Sequence, residues 1–364
     1  MKLMSARHAA GTAAALLVML TVLAGGAGAR PAAIGAQPVV TGLAFPATFT
    51  FAPDGRIFYG LRFTGEIRVF DPATSSDTHF FTIPDIAKAG EQGLLGLATS
   101  PQYPTKPWVY AYVTRTVSGT ENEIVRIKPG PGGGLTMQVL FHTGAATNHN
   151  GGHIAFGPSG LLYAVVGENG SPSNAQDLGT TLGKVVRMTA NGGVPSGNPI
   201  SGSYIWAYGI RNSFGFTFDP LSGRLWETEN GPECNDEVNR IVKAGNYAWG
   251  PSQTCSVPPD PPTNTNQDGP SPILPKRWFT PTIAPTGVAF CSACGLGPES
   301  EGKLFFGTYN THEIRMATLN AKRTAIVSET PVYTHPSAVL SIQAAPDGTL
   351  YFSAPGGIYK LVLT

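Results

Sequence analysis

The sequence predicts an all-β chain closed into a six-bladed β-propeller, and three observations carry that prediction. Gly (45) and Pro (32) together make up about a fifth of the 364 residues. That is well above the roughly 12 % of ordinary usage, and this density would break most long helices. Hydrophobic residues are 41 % of the chain, which is ample for a core and excludes wholesale disorder. Finally, one turn-and-strand unit recurs along the chain, as in a repeat architecture.

The unit is x-Pro-(turn)-Gly leading into an aromatic or β-branched strand. Ala52-Pro53-Asp54-Gly55 leads into Arg56–Tyr59, and Ser100-Pro101-Gln102-Tyr103, after a short insertion, into Trp108–Val113. Gly157-Pro158-Ser159-Gly160 leads into Leu161–Val166, and Asp219-Pro220-Leu221-Ser222-Gly223 into Arg224–Thr228. Gly297-Pro298-Glu299-Ser300-Glu301-Gly302 leads into Lys303–Phe306, and Ala345-Pro346-Asp347-Gly348 into Thr349–Phe352. Pro and Gly supply the special φ of a hairpin turn, and the residues that follow suit a pleated sheet. A further strand is expected after each copy, at Glu66–Phe70, Glu123–Ile127, Lys184–Met188, Val238–Val242, Glu313–Leu319 and Ile358–Leu363. The spacing approaches the roughly 40–50 residues of a propeller blade once loop insertions are allowed. A β-sandwich would supply short strands, but not this repetition. The strand after Gln37 is expected to complete the blade that ends at Leu363. Residues 37–364 are therefore read as one domain, with an inserted Pro-, Thr- and Asn-rich loop near 249–280.

Residues 1–29 read as a secretory signal peptide. Lys2, Arg7 and His8 precede an apolar run, and Ala27-Gly28-Ala29 fits a cleavage site, with Gly35-Ala36 as a later candidate that would move the boundary to 36. No stable membrane insertion is expected after cleavage, so the mature protein is expected to be secreted or extracytoplasmic. In an oxidising compartment the four cysteines read as two disulfides, for which three pairings are open. Cys234–Cys255 and Cys291–Cys294 are favoured as loop staples over a zinc or redox role for Cys291-Ser292-Ala293-Cys294. The formal net charge is +1, with no run of Lys or Arg. A nucleic-acid surface is excluded, because neutralising phosphates needs clustered cations.

Three segments concentrate polar groups beside strand ends. The first is Asn148-His149-Asn150-Gly151-Gly152-His153, with Gly167-Glu168-Asn169-Gly170 one strand further on. A carboxylate accepting from one imidazole nitrogen fixes the tautomer and leaves the other nitrogen as a base. A lone His is more often a structural residue, and His153 is read as one that sits in the strand beside Ile154. The second is Ile210-Arg211-Asn212-Ser213, where a guanidinium offers forked donors to oxygen or forms an ordinary inter-blade ion pair. The third, Glu229-Asn230-Gly231-Pro232-Glu233-Cys234-Asn235-Asp236-Glu237, suits a hard cation such as Ca²⁺ but lacks EF-hand spacing. By itself it also reads as a solvated acidic turn.

Taken in order, these segments resemble the glucose/sorbosone dehydrogenase family, soluble six-bladed quinoprotein dehydrogenases that use pyrroloquinoline quinone (PQQ) and Ca²⁺. The resemblance runs from about Gly42 to the C-terminus and includes Gly90-Glu91-Gln92-Gly93-Leu94-Leu95-Gly96, Gly209-Ile210-Arg211-Asn212 and Gly245-Asn246-Tyr247-Ala248-Trp249. It implies that His149 takes the proton from a sugar's anomeric hydroxyl while hydride passes from C1 to the quinone. Glu168 would orient His149, and Arg211 would bind negative charge developing on the quinone oxygen. Ca²⁺ on the Gly231 and Pro232 carbonyls would act as Lewis acid, and Gln92 and Asn212 would contact sugar or cofactor. The partners implied are a small sugar and an electron acceptor.

PQQ is a tricarboxylate, which the family holds with Lys and Arg from its last two blades. Here Tyr309 or Asn310 stands near the expected Lys, and Ala338 and Leu340 stand at the expected arginines. This departure keeps a second class open, a non-redox secreted propeller that binds carbohydrate or a protein partner. A third, a Ca²⁺-dependent lactonase-type hydrolase, would need several carboxylate and Asn ligands converging on the central channel.

Overall fold

The computed structural model describes residues 33–252, 255 and 267–364. The leader assigned to 1–29 lies outside the described residues, and the 249–280 insertion lies only partly within them.

Among the described residues, the strands form six four-stranded antiparallel sheets. Blade 1 holds Pro46–Phe51, Ile57–Leu61, Glu66–Asp71 and Ser76–Thr82, and blade 2 holds Leu94–Thr99, Val109–Thr116, Thr120–Gly130 and Gly133–Gly144. Blade 3 holds Ile154–Phe156, Leu162–Val166, Lys184–Met188 and Ile205–Tyr208. Blade 4 holds Ser213–Phe218, Leu225–Glu229, Asp236–Ile241 and Arg277–Phe279. The end of the expected 249–280 loop is thus a strand, paired through Glu237↔Trp278 to its neighbour. Blade 5 holds Pro285–Phe290, Leu304–Thr308, Glu313–Leu319 and Ile326–Thr334. Blade 6 takes Ser341–Ala344, Leu350–Ala354 and Gly357–Leu363 from the C-terminus and Ile34–Thr41 from the N-terminus. The pairing of Ile34 with Leu363 and of Thr41 with Gly357 closes the ring as expected.

The recurring turn marks one place in every blade, the hairpin between its first and second strands. Backbone bonds close it in the same way each time, as in Ala52 N–H to Arg56 O, Gly157 N–H to Leu161 O, Asp219 N–H to Arg224 O and Ala345 N–H to Thr349 O. The strands that follow these turns show no alternation of polar and apolar residues. Ile57–Leu61, Leu162–Val166 and Leu304–Thr308 are buried at every position. Successive side chains point to opposite faces of a strand, and here both faces are covered. Ile57 packs with Phe49 and Ile358 on the blade 6 side, whereas Phe58 packs with Leu94 and Val109 on the blade 2 side. Leu304 likewise faces Trp226 in blade 4, and Phe305 faces Phe352 in blade 6. The core is therefore a ring of inter-blade layers.

Near the axis the first strands converge, and backbone meets backbone. A Cβ on Gly96 would lie 2.1 Å from the Gly152 carbonyl oxygen, so only glycine fits between blades 2 and 3 at that point. Both favoured disulfides are present, Cys234–Cys255 with Cα atoms 5.8 Å apart and Cys291–Cys294 at 5.1 Å. Helix is confined to Ser173–Gln176 and a 3₁₀ turn at Pro298–Ser300 among the described residues, and no described helix is long and apolar enough to cross a membrane.

Truncating an inter-blade side chain opens a cavity that the ring cannot collapse to fill. Phe305→Ala is expected to lower stability by about 3–5 kcal/mol. Urea unfolding would show this as a lower midpoint at unchanged slope.

Candidate active site

Closure of the ring brings six sets of loops to one end of the axis, around a cavity of about 380 Å³. All six blades contribute to its wall, among others through Arg62, Glu91, His153, Asn230, Tyr309 and Leu340.

His149 lies in the loop entering blade 3, and Glu168 lies just past the second strand of that blade. His149 Nδ1 is 2.5 Å from Glu168 Oε1. The imidazole is 19 % exposed and the carboxylate 1 %, so a partly accessible ring rests on a buried acid. Glu168 Oε2 is buried with no hydrogen-bond partner. The backbone of His149 adopts a left-handed conformation, φ +59°, which a non-glycine residue holds only when its surroundings fix it. Three contacts do so. Its N–H donates to Glu91 Oε2 at 2.6 Å, and its carbonyl accepts from Asn169 N–H at 3.1 Å. The neighbouring Asn150 is fully buried and ties the loop to Ala146 and Asn122. Gly167 passes so close beneath that a Cβ there would meet the His149 carbonyl oxygen at 2.1 Å.

The loops of blades 3 and 4 are stitched in series. Glu168 N–H donates to the Arg211 carbonyl at 2.9 Å, and Asn230 N–H donates to the Asn212 carbonyl at 2.9 Å. Arg211 donates through Nη1 to the Asn230 carbonyl at 2.8 Å and lies over the Trp249 ring at 5.3 Å. Burial pulls its pKa down, against the opposing pull of Glu168, Glu229, Glu91 and Asp236. Burial, with Glu227 and Glu237 nearby, pushes the Glu229 acid well above the usual carboxylate range.

Gly231 and Pro232 form the turn after Asn230. Asp236 holds this turn, accepting from Gly231 N–H at 2.8 Å and from the Ile283 and Ala284 N–H groups at 2.6 and 2.7 Å. Among the described residues, neither the Gly231 nor the Pro232 carbonyl accepts a hydrogen bond. No three His, Cys, Asp or Glu side chains among the described residues group as a metal cluster.

Geometry brings His149, Glu168, Arg211 and Asn212 together but uses Gln92 and Asn212 internally. Gln92 accepts from Ala89 N–H and donates to the Ala146 carbonyl, each at 3.0 Å. Asn212 accepts from Gly151 N–H at 3.1 Å and donates to Glu91 at 3.0 Å. Glu91, adjacent to Gln92, is the side chain that lines the cavity and links His149 to Asn212. Its place in the Gly90–Leu95 motif was the signal; neighbours in an irregular loop give no rule for which one faces inward. His153 is buried just ahead of the strand that begins at Ile154 rather than within it, edge-on to Phe216 with ring centres 4.8 Å apart, and it also borders the cavity.

Comparison with known proteins places this propeller in a sugar dehydrogenase family. The family model described as Glucose / Sorbosone dehydrogenase matches residues 43–360, and the chain belongs to that family. It is similar to an aldose sugar dehydrogenase of Escherichia coli, 27 % identical over 92 % of this chain and 94 % of that protein. It is 30 % identical to quinoprotein glucose dehydrogenase B of Acinetobacter calcoaceticus over 58 % of this chain and 51 % of that one. A solved PQQ-bound aldose sugar dehydrogenase from Streptomyces coelicolor superposes with a TM-score of 0.77 at 28 % identity, covering 92 % of this chain and 98 % of its own.

Burial pulls the His153 pKa down from 6.5 to about 4, so the folded state holds it neutral. As pH falls from about 6.5 towards 4, the unfolded chain takes up this proton first, and stability is lost through that window. His153→Gln is expected to remove this part of the acid sensitivity, on the order of 3 kcal/mol. Melting curves collected between pH 4 and 7 would measure the difference.

Proposed function

We propose that this protein is an exported, PQQ- and Ca²⁺-dependent dehydrogenase that oxidises an aldose at C1. The observation that carries this reading is the buried Glu168 carboxylate held 2.5 Å from His149 Nδ1, beside Arg211. The residues present fit the two groups in chemistry. Phe45, Leu95, Phe214 and Leu340 give the cavity apolar surface for a flat ring, and Gly231 and Pro232 offer free backbone oxygens to a hard cation. Two disulfides support export, since such bonds persist in oxidising compartments.

When bound, PQQ would supply the hydride acceptor and Ca²⁺ the Lewis acid that polarises it. The protein's part is proton handling and field. Glu168 fixes the imidazole so that its open nitrogen, Nε2, receives the proton of the sugar's anomeric hydroxyl, and its charge stabilises the resulting imidazolium. Glu91, through the His149 N–H, holds the backbone that aims the ring. Arg211 sets a positive charge beside the reacting centre, stacked on Trp249 so that no reorganisation is needed when charge develops. Gln92 and Asn212 hold the loops.

The neutral lining at Tyr309 and Leu340, together with a buried Ala338, favours the alternative of a non-redox carbohydrate- or partner-binding propeller. One titration separates the two. Purified mature protein in Ca²⁺ is expected to shift the PQQ spectrum on binding and then reduce a dye with aldoses; no shift and no reduction would leave only the binding propeller. His149→Ala is expected to lower kcat by about 10²–10⁴-fold. Glu168→Gln should slow the same step while leaving sugar KM nearly unchanged, and unaltered kcat in that variant would remove Glu168 from the assigned role.

A further inference from the structure

We propose that Arg62 is the anion-binding residue of the central cavity, gripping a carboxylate of the planar cofactor from the blade 1 side. This rests on the function proposed above. Among the described lining residues, Arg62 is the one arginine or lysine. The lining from blades 5 and 6, at Thr286, Tyr309 and Leu340, offers hydroxyls and methyl groups but no cation. A carboxylate entering this cavity therefore finds its charge complement on one side only.

Arg62 is also held in place before any ligand arrives. Its guanidinium is stacked on two rings, Phe45 at 5.3 Å and Phe63 at 4.7 Å from the ring centres. Nε donates to the Gln92 carbonyl at 3.0 Å, and Nη2 donates to the Gly90 carbonyl. A guanidinium carries five N–H donors in a rigid fork, so donors remain after these bonds are made, Nη1 among them. The one carboxylate lining the same cavity, Glu91, accepts from the His149 N–H and the Asn212 amide through Oε2 and makes no hydrogen bond to Arg62, although its charge lies near enough to act on the guanidinium. Arg62 thus combines a fixed plane, unused donors and partial exposure, which is what bidentate recognition of a carboxylate requires.

A purely structural Arg62 would only staple the Gly90–Gln92 loop, and charge separates the two roles. Arg62→Gln keeps a donor for the loop carbonyls but removes the cation, whereas Arg62→Lys keeps the cation and loses the fork. PQQ binding to the Ca²⁺-loaded protein would be measured by equilibrium dialysis at low and high salt, with melting temperatures as a check of the fold. We expect Arg62→Gln to weaken binding about 10- to 100-fold and to flatten its salt dependence, with Arg62→Lys within about tenfold of the native protein. Native-like affinity in Arg62→Gln, or equal loss in both variants with a parallel fall in melting temperature, would overturn the proposal. Should the native protein take up no PQQ, the dehydrogenase reading fails separately. Arg62 is then judged with 2,6-naphthalenedicarboxylate: saturable binding lost in Arg62→Gln upholds the anion site, and its absence in the native protein refutes it.

Discussion

Each blade of this protein is a sheet with two apolar faces, and only a closed ring covers both. That constraint governs the rest. An open arc would leave layers such as Phe49, Ile57 and Ile358 exposed to water, and these lie at the junction between the first and last blades. Pairing of Ile34–Thr41 with Gly357–Leu363 supplies the closure and ties the ring across its whole sequence. Closure also sets the radius at the axis, where Gly96 touches the backbone of blade 3. The cavity is the space left at the end of that axis, so the position of every lining residue depends on the ring being complete.

Within that frame the site is an exercise in burying charge. Glu168, Glu229 and Asp236 surround Arg211, and most of their oxygens are met by backbone N–H groups, by His149 or by Asn side chains. Hydrogen-bonded in this way, the carboxylates stitch loops of neighbouring blades together, as Asp236 does between the Gly231 turn and the start of blade 5. An unpaired carboxylate would be costly here, and Glu168 Oε2 is one that the protein leaves without a partner. That orphan atom lies beside the imidazole whose chemistry it would tune.

Much of this was legible in the linear chain. The Pro-turn-Gly cues fell on the same hairpin in blade after blade, because turn conformation is a local property of four or five residues. His149 and Glu168 could be paired in advance, since one enters and the other leaves the same blade. Gln92 and Glu91 could not be told apart. They are neighbours in a loop without strand periodicity, and which one faces the axis depends on Ala89 and Ala146 capturing the Gln92 amide. Arg62 was invisible for a related reason: it sits in an ordinary hairpin turn, and the carbonyls and rings that fix it come from its own turn, from the segment before the first strand of blade 1 and from the loop entering blade 2 only after folding. The outer strand Arg277–Phe279 was missed because three residues carry too little pattern to stand out from a Pro-rich loop.

The sequence by itself determined the number of blades, the way the ring closes and the order in which polar segments reach the axis, because turn chemistry and strand burial are written in adjacent residues. Only the tertiary structure decided which side chains meet across the cavity, which amides are used up in holding loops, and which of the three cysteine pairings is made. Those outcomes depend on distances between blades far apart in the chain, and these distances exist only once both faces of every sheet are covered.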